Sequence, residues 1–134
     1  MMEGGMEHSH RLGVDIVEVE RIRGIMERYP EFARRVFTPG EMGYCDRFPD
    51  PARHYAARFA AKEAAFKALD GRSRALRFLD YEVKMDGGRP YLSICGGTEV
   101  ELRGLEIGDI SLSLAHERQC AVATVLISCG DGGS

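Results

Sequence analysis

Four side chains in this sequence combine the types needed for phosphoryl-transfer chemistry. Asp15 lies between valine and isoleucine, and a carboxylate in such an apolar setting needs a cation, a set of donors or a metal as its partner. Glu63 and Lys67 lie one helical turn apart in an alanine-rich segment, and His116 stands in a polar turn between two apolar runs. Two carboxylates can hold a hard cation such as Mg²⁺, and a nearby lysine can neutralise a phosphate. The set is therefore typical of transfer from a nucleotide-like diphosphate donor.

Three of these residues also have a purely structural interpretation. Asp15 could close a strand and cap the helix that follows it. Glu63 and Lys67 could form a surface ion pair on a core helix, because a spacing of four with Glu first is the favourable order. The residue types alone leave both interpretations open.

The elements that would position these side chains follow from the hydrophobic periodicity. Residues 12–17 alternate as a strand, and a helix is expected over 18–29, where Tyr29 closes the buried stripe. A long helix over 51–69 is rich in alanine and has an apolar stripe broad enough for a core position. Asp50-Pro51 predicts its start as N-cap and N1, and Gly71 predicts its C-cap.

The rest of the chain predicts short helices and hairpins. Thr38 and Thr98 each begin a capping box, and Gly87-Gly88 is a tight turn signal. Strands are expected at 81–85, 90–95, 110–115 and 120–128, the last apolar enough to be central. This order predicts the α+β class, with a small, mainly antiparallel sheet packed on the long central helix. A sheet this small needs its edges covered, which favours oligomerisation.

The bulk properties narrow the possible classes of protein. With 134 residues, residues 12–129 are expected to form one domain between flexible segments at 1–11 and 130–134. The net charge of −3 gives no overall attraction to nucleic acid, and the absence of a long apolar run argues against a membrane span. No signal peptide is visible and the four cysteines form no C-x-x-C pair, so a cytoplasmic location is expected. The arginines between 21 and 35 could meet an acidic partner or could form a solvated helix face.

Two motifs give the sequence a resemblance to a known family. Gly13-Val14-Asp15-Ile16 is followed by Arg21-Ile22, and Arg58-Phe-Ala-Ala-Lys-Glu-Ala64 is followed by Lys67-Ala68. The chain resembles the holo-(acyl-carrier-protein) synthases, the short bacterial group of 4′-phosphopantetheinyl transferases. Further matches in the same order are Phe37-Thr38 with Glu41, Gly88-Arg89-Pro90-Tyr91, and Leu112-Ser113-Leu114-Ala115-His116.

The resemblance implies a reaction and a set of roles. Such enzymes need Mg²⁺ and move the phosphopantetheine arm of coenzyme A to a serine of an acyl carrier protein, releasing adenosine 3′,5′-bisphosphate. Glu63 is the candidate base for that serine. The implied site consists of Asp15 and Glu63 as metal ligands, with Lys67 and His116 on coenzyme A phosphates, Lys62 as a further charge near them, and Gly71 in the phosphate loop.

The resemblance also implies partners. The family forms homotrimers with active sites at subunit interfaces, and Arg21 and Arg28 would dock the acidic carrier protein. One departure is the loop Asp70-Gly71-Arg72-Ser73-Arg74, which keeps only one glycine where much of the family has several. Two other functions stay open: a non-catalytic module that binds the carrier protein, and a different Mg²⁺-dependent enzyme acting on a nucleotide diphosphate.

Overall fold

The computed structural model describes residues 8–70, 72–73 and 75–130. Its helices and strands confirm the predicted α+β class. In chain order they are β1 (His8–Glu18), α1 (Val19–Arg28), α2 (Phe32–Val36), α3 (Pro39–Cys45), α4 (Pro51–Leu69), β2 (Tyr81–Asp86), β3 (Arg89–Ile94), α5 (Gly96–Glu101), β4 (Ile107–His116) and β5 (Cys120–Gly130), with a 3₁₀ turn at Phe78–Asp80.

The strands form two antiparallel sheets. The larger has the order β1-β5-β4, so the last strand is central as its apolar composition predicts, and β2 and β3 pair as a separate hairpin. β1 begins at His8, four residues before the predicted start, because residues 8–11 pair with the end of β5. Residues 8–11 were predicted to be part of a flexible extension, and this prediction is wrong because they belong to β1. Gly130 was predicted to be part of a flexible tail but belongs to β5. The rest of both predicted segments lies outside the described residues.

Helix α4 crosses the inner face of the larger sheet, and most of its residues are buried. Its alanines allow this, because their small side chains let the helix backbone approach the strands. The closest approach is at Gly13 in β1, where an added Cβ would lie 1.9 Å from the carbonyl oxygen of Ala64. Glycine is therefore required at this position, and the two backbones are in direct contact.

Two of the predicted helix starts have different outcomes. The capping box of α3 is confirmed: the Glu41 amide donates to the Thr38 hydroxyl and the Thr38 amide donates to Glu41 Oε1. Asp50 precedes α4 as predicted, but its carboxylate does not cap the helix. Arg23 of α1 binds that carboxylate at 2.9 Å instead, because a guanidinium offers charge as well as donors.

Two other predicted caps are displaced. Asp70, one residue before the predicted Gly71, has a left-handed backbone (φ 44°) and ends α4, while Gly71 lies outside the described residues. Thr98 lies inside α5, which begins two residues earlier. Its amide and hydroxyl both donate to the Asp80 carboxylate, so a distant acid replaces the predicted local cap.

The outer surfaces show two further features. Tyr29 follows α1 with 57% of its surface exposed, so its predicted place in the buried stripe is wrong. It borders a hollow of about 560 Å³, which is lined mainly by Tyr29, Pro30, Phe32, Val36 and Phe78. No described helix is long and apolar enough to cross a membrane.

Candidate active site

Asp15 lies on the inner face of β1, buried against α4. Lys67 of α4 donates to its Oδ1 at 2.7 Å, whereas its Oδ2 is buried and has no hydrogen-bond partner in the described part of the chain. Glu18, and not Asp15, is the residue that precedes α1, so the helix-capping interpretation of Asp15 is wrong. A protonated Glu63 would donate to this carboxylate, so the oxygen is open either to that proton or to a cation from outside the chain.

Glu63 of α4 faces the same carboxylate. Burial, and after it the negative charge of Asp15, raise the pKa of Glu63 above its ordinary value. The hydrogen bond to Asp15 raises the pKa of Lys67, whose side chain is 55% exposed. Lys67 therefore pairs across elements with Asp15, rather than along its own helix with Glu63. The structure brings three predicted residues, Asp15, Glu63 and Lys67, into one site.

The donor set of this site fits a hard divalent cation. Two carboxylates repel each other here, one oxygen lacks a donor, and the single lysine is mostly solvated. In the described ranges, no group of three or more histidine, cysteine or acidic side chains is placed to hold a metal. Mg²⁺ needs only one or two protein carboxylates when water and phosphate oxygens complete its shell, so Asp15 and Glu63 suffice for this ion.

Lys62 differs from the prediction that it contacts the bound cofactor. Its side chain is completely buried, and its Nζ lies 2.8 Å from Glu41 Oε1. It also donates to the carbonyl oxygens of Phe78 and Tyr81, so its three protons are used within the fold. The second oxygen of Glu41 accepts the amide of Val83 at 2.7 Å. Lys62 thus joins α4 to α3 and β2 and has no donor left for a ligand, which corrects the prediction.

His116 is not brought to the carboxylates. It ends β4 beside His54 of α4, with ring centroids 4.8 Å apart, and His54 stacks on Phe48 at 3.7 Å. His54 precedes Glu63 by nine residues on α4, which corresponds to about 13 Å along the helix axis. Within one subunit, therefore, His116 lies beside the N-terminal part of α4, whereas Glu63 lies about 13 Å further along that helix.

The arginines near α1 divide into paired and unpaired side chains. Arg23 binds Glu20 and Asp50, and Arg34 binds Glu31. The predicted partner-binding residues Arg21 and Arg28 are exposed on α1, and within the described residues neither has an ion pair. Positions 21 and 28 are two turns apart, so they lie on one face of the helix. Arg28 is thus available to a partner, and so is Arg21, which also lies close enough to Glu63 for its charge to lower the pKa of that carboxyl group.

Sequence reasoning missed Glu41 and His54. A lysine in a core helix needs an acidic partner, and this need could have pointed to Glu41. The capping box of α3 already accounted for Glu41, so no pairing with Lys62 was predicted. His54 carried no signal, since its contact with His116 arises only when α4 and β4 pack together. The predicted loop glycine Gly71 lies outside the described residues.

Comparison with known proteins identifies the family of the chain. The profile of the 4′-phosphopantetheinyl transferase superfamily matches residues 11–123. The chain belongs to this superfamily. Its relatives include the holo-[acyl-carrier-protein] synthases of Myxococcus xanthus (strain DK1622), 46% identical over 125 residues covering 90% of this chain and 96% of the relative, and of Anaeromyxobacter dehalogenans (strain 2CP-1 / ATCC BAA-258), 45% identical over 120 residues covering 87% and 93%.

A solved structure shares the fold. The holo-(acyl-carrier-protein) synthase of Bacillus anthracis str. Ames, in complex with CoA (3′,5′-ADP), is 31% identical, with a TM-score of 0.71, over 88% of this chain and 95% of that one. These matches confirm the resemblance that the two motifs indicated, and with it the class of enzyme.

Proposed function

We propose that this protein transfers the 4′-phosphopantetheine arm of coenzyme A to a serine of an apo acyl carrier protein. The observation that carries the proposal is the buried carboxylate of Asp15, with one unpartnered oxygen, facing the half-buried Glu63 beside a solvated lysine in a chain of this family. A module that only binds the carrier has no use for two facing acids, whose repulsion opposes folding.

Asp15 and Glu63 would hold the metal, and Lys67 would bind the diphosphate. Mg²⁺, when bound, would make the β-phosphorus more electrophilic and stabilise the departing bisphosphate. The serine oxygen forms a bond to the β-phosphorus, and the bond from that phosphorus to the adenosine bisphosphate oxygen breaks. Glu63 would take the serine proton, because it is the nearest candidate carboxylate by residue type.

The carrier protein would dock on α1. Arg21 and Arg28 are exposed cations, and the Tyr29–Phe78 hollow offers an apolar contact beside the end of that helix. Carriers of this pathway are acidic, so attraction to the arginines would speed encounter. We expect the reaction in the cytoplasm, without nucleic acid or membrane as partner.

Intact mass spectrometry of apo carrier protein tests the reaction. The carrier is incubated with this protein and coenzyme A, and we expect a mass gain equal to the phosphopantetheine arm only when Mg²⁺ is present. A Glu63→Gln variant is the matched control and should leave the carrier unmodified. No mass gain on any apo carrier tested would overturn the proposal.

The assembly we propose is a homotrimer. The outer face of the sheet exposes Leu12 (63%), Val14 (50%) and Ile16 (64%), and Leu126 pairs with Leu12 across the strands. A contiguous apolar face of this kind is typical of a protein interface. Contact there would let the carboxylates of one subunit and His116 of its neighbour serve one coenzyme A.

Light scattering on the eluted protein tests the trimer. Leu12→Glu should yield monomers of low activity, whereas Leu79→Glu, at a site 43% exposed outside this face, should leave the assembly unchanged. A fully active wild-type monomer would contradict the proposed assembly.

A further inference from the structure

Two imidazoles meet at the N-terminal half of α4 in an aromatic cluster. The rings of His54 and His116 lie edge to face, with centroids 4.8 Å apart and planes at 69°. Phe48 stacks on His54 with centroids 3.7 Å apart and planes at 16°, and Tyr44 lies 6.1 Å away. This packing fixes the position of the His54 ring, although the imidazole makes no hydrogen bond in the part of the chain that the structure describes.

The cluster has cations and hydrogen-bonding groups, and its acidic neighbours already have partners. Within the described residues neither imidazole side chain makes a hydrogen bond, and His116 is exposed. Charged or titratable neighbours are Asp50, Arg53 and Arg58 on and before α4, Tyr44 and Arg47 on and after α3, and Glu117 after β4. Arg23 binds Asp50, and Glu117 accepts two backbone amides of its own turn, so neither acid is free to balance the pair.

The same surroundings keep the pair uncharged in the free protein. Burial, and then the charges of His116 and Arg58, lower the pKa of His54 to about 4. The neighbouring rings desolvate His116 in part although the residue is exposed, and this desolvation, followed by the charges of Arg53 and Arg58, lowers the pKa of His116. A phosphate monoester carries close to two negative charges at neutral pH and would favour a protonated imidazole.

We propose that His54 binds the 3′-phosphate of coenzyme A together with His116, and that the pair takes up a proton as this phosphate binds. The inference rests on the proposed function, which supplies this monoester. The proposal assigns a role to His54, which the sequence motifs do not include. It also predicts that coenzyme A binding is coupled to the uptake of a proton. The diphosphate is expected at Lys67 instead, because that site holds the carboxylate pair.

Calorimetric titration with coenzyme A tests the proposal. Measuring the wild-type protein in buffers of different ionisation enthalpy gives the number of protons taken up at each pH. Between pH 8 and pH 7 the phosphate stays mainly dianionic, since its second pKa is about 6. We expect proton uptake by the wild type, and tighter binding at pH 7 than at pH 8.

Two variants and a second ligand locate the effect. His54→Phe keeps the stack on Phe48 and should weaken coenzyme A binding by roughly tenfold, the scale of one hydrogen bond to a charged group, with reduced proton uptake. His54→Gln keeps a donor and should recover affinity at pH 8 but not the proton uptake. Dephospho-coenzyme A lacks the 3′-phosphate and should bind the wild type and His54→Phe equally.

Each result decides for or against His54. Unchanged affinity and proton uptake in His54→Phe would overturn the proposal, and so would an equal weakening of both ligands, which would assign the residue to the diphosphate. A wild-type protein that binds no coenzyme A would instead contradict the proposed function, so the two failures are distinguishable.

Discussion

The two lysines of one motif, Lys62 and Lys67, lie on opposite sides of α4 in different kinds of ion pair. Lys62 is fully buried, and all its protons and both oxygens of its partner Glu41 have partners within the fold. Lys67 is 55% exposed, and its partner Asp15 keeps one buried oxygen without a donor. We call Lys62–Glu41 the closed pair, because its donors and acceptors all have partners within the fold. We call Lys67–Asp15 the open pair, because it leaves one carboxylate oxygen available to a ligand.

The largest expected difference concerns catalysis. Asp15→Ala and Glu63→Ala should each reduce transfer on the order of 10³-fold, the scale of losing a principal electrostatic contact. Both variants should remain folded, since each removes one of two repelling acids. The measurement is carrier modification by intact mass at saturating Mg²⁺, with thermal unfolding as the folding control. A near wild-type rate in either variant would show that the residue is not an essential ligand.

The closed pair should dominate stability. Lys62→Met should lower the free energy of unfolding by about 3–5 kcal/mol, because it leaves Glu41 buried without its cation. Lys67→Met, the matched change in the open pair, should cost about 1 kcal/mol, because Lys67 is itself 55% exposed and water screens its interaction with Asp15. Urea unfolding measures both.

A double variant sharpens this result. Glu41→Gln combined with Lys62→Met should regain part of the loss, since the uncompensated charge is gone. Equal stability losses for Lys62→Met and Lys67→Met would contradict the distinction between the pairs.

The same distinction applies to the arginines, where unpaired Arg21 should contribute to carrier binding and paired Arg34 should not. Arg21→Ala should raise the KM for carrier roughly fivefold, about 1 kcal/mol of lost attraction, and leave the KM for coenzyme A unchanged. Salt should raise the carrier KM as well, because exposed charges are screened. Arg34→Ala, whose side chain is already paired with Glu31, and Lys84→Ala on the β2–β3 hairpin serve as controls. If neither Arg21→Ala nor added salt changes the KM for carrier, the carrier docks through apolar contacts instead.

The smallest expected effect is a pH dependence of the open pair. The folded-state pKa of Glu63 lies above its ordinary 4.5, so the folded protein holds a proton that the unfolded chain releases as the pH rises above 4.5. Metal-free stability should therefore fall with rising pH until Glu63 ionises in the folded protein too, by at most about 1.4 kcal/mol per pH unit.

Chemical unfolding at a series of pH values, with chelator present, measures this slope. Glu63→Gln should flatten it, whereas Glu27→Gln at an exposed position of α1 should not. An identical slope in wild type and Glu63→Gln would rule out Glu63 as its source.

The sequence predicted what depends on local patterns. Alternation and turn residues predicted the strands and the central place of β5, and the two motifs predicted Asp15, Glu63 and Lys67. Contacts between distant segments could not be predicted, because nothing local encodes them. Asp50 binds Arg23 instead of capping α4, and Thr98 donates to Asp80 instead of capping α5. Lys62 is paired with Glu41 in the core and is not free to bind the cofactor.

The contact of Gly13 with Ala64 has a consequence for how this enzyme can change over time. Gly13 lies two residues before Asp15, and Ala64 directly follows Glu63, so two touching backbones set the separation of the carboxylates. The contact is made by the carbonyl oxygen of Ala64, so it depends on glycine at position 13 and not on the side chain at position 64. Core side chains away from this contact can therefore change while the spacing that it sets stays the same.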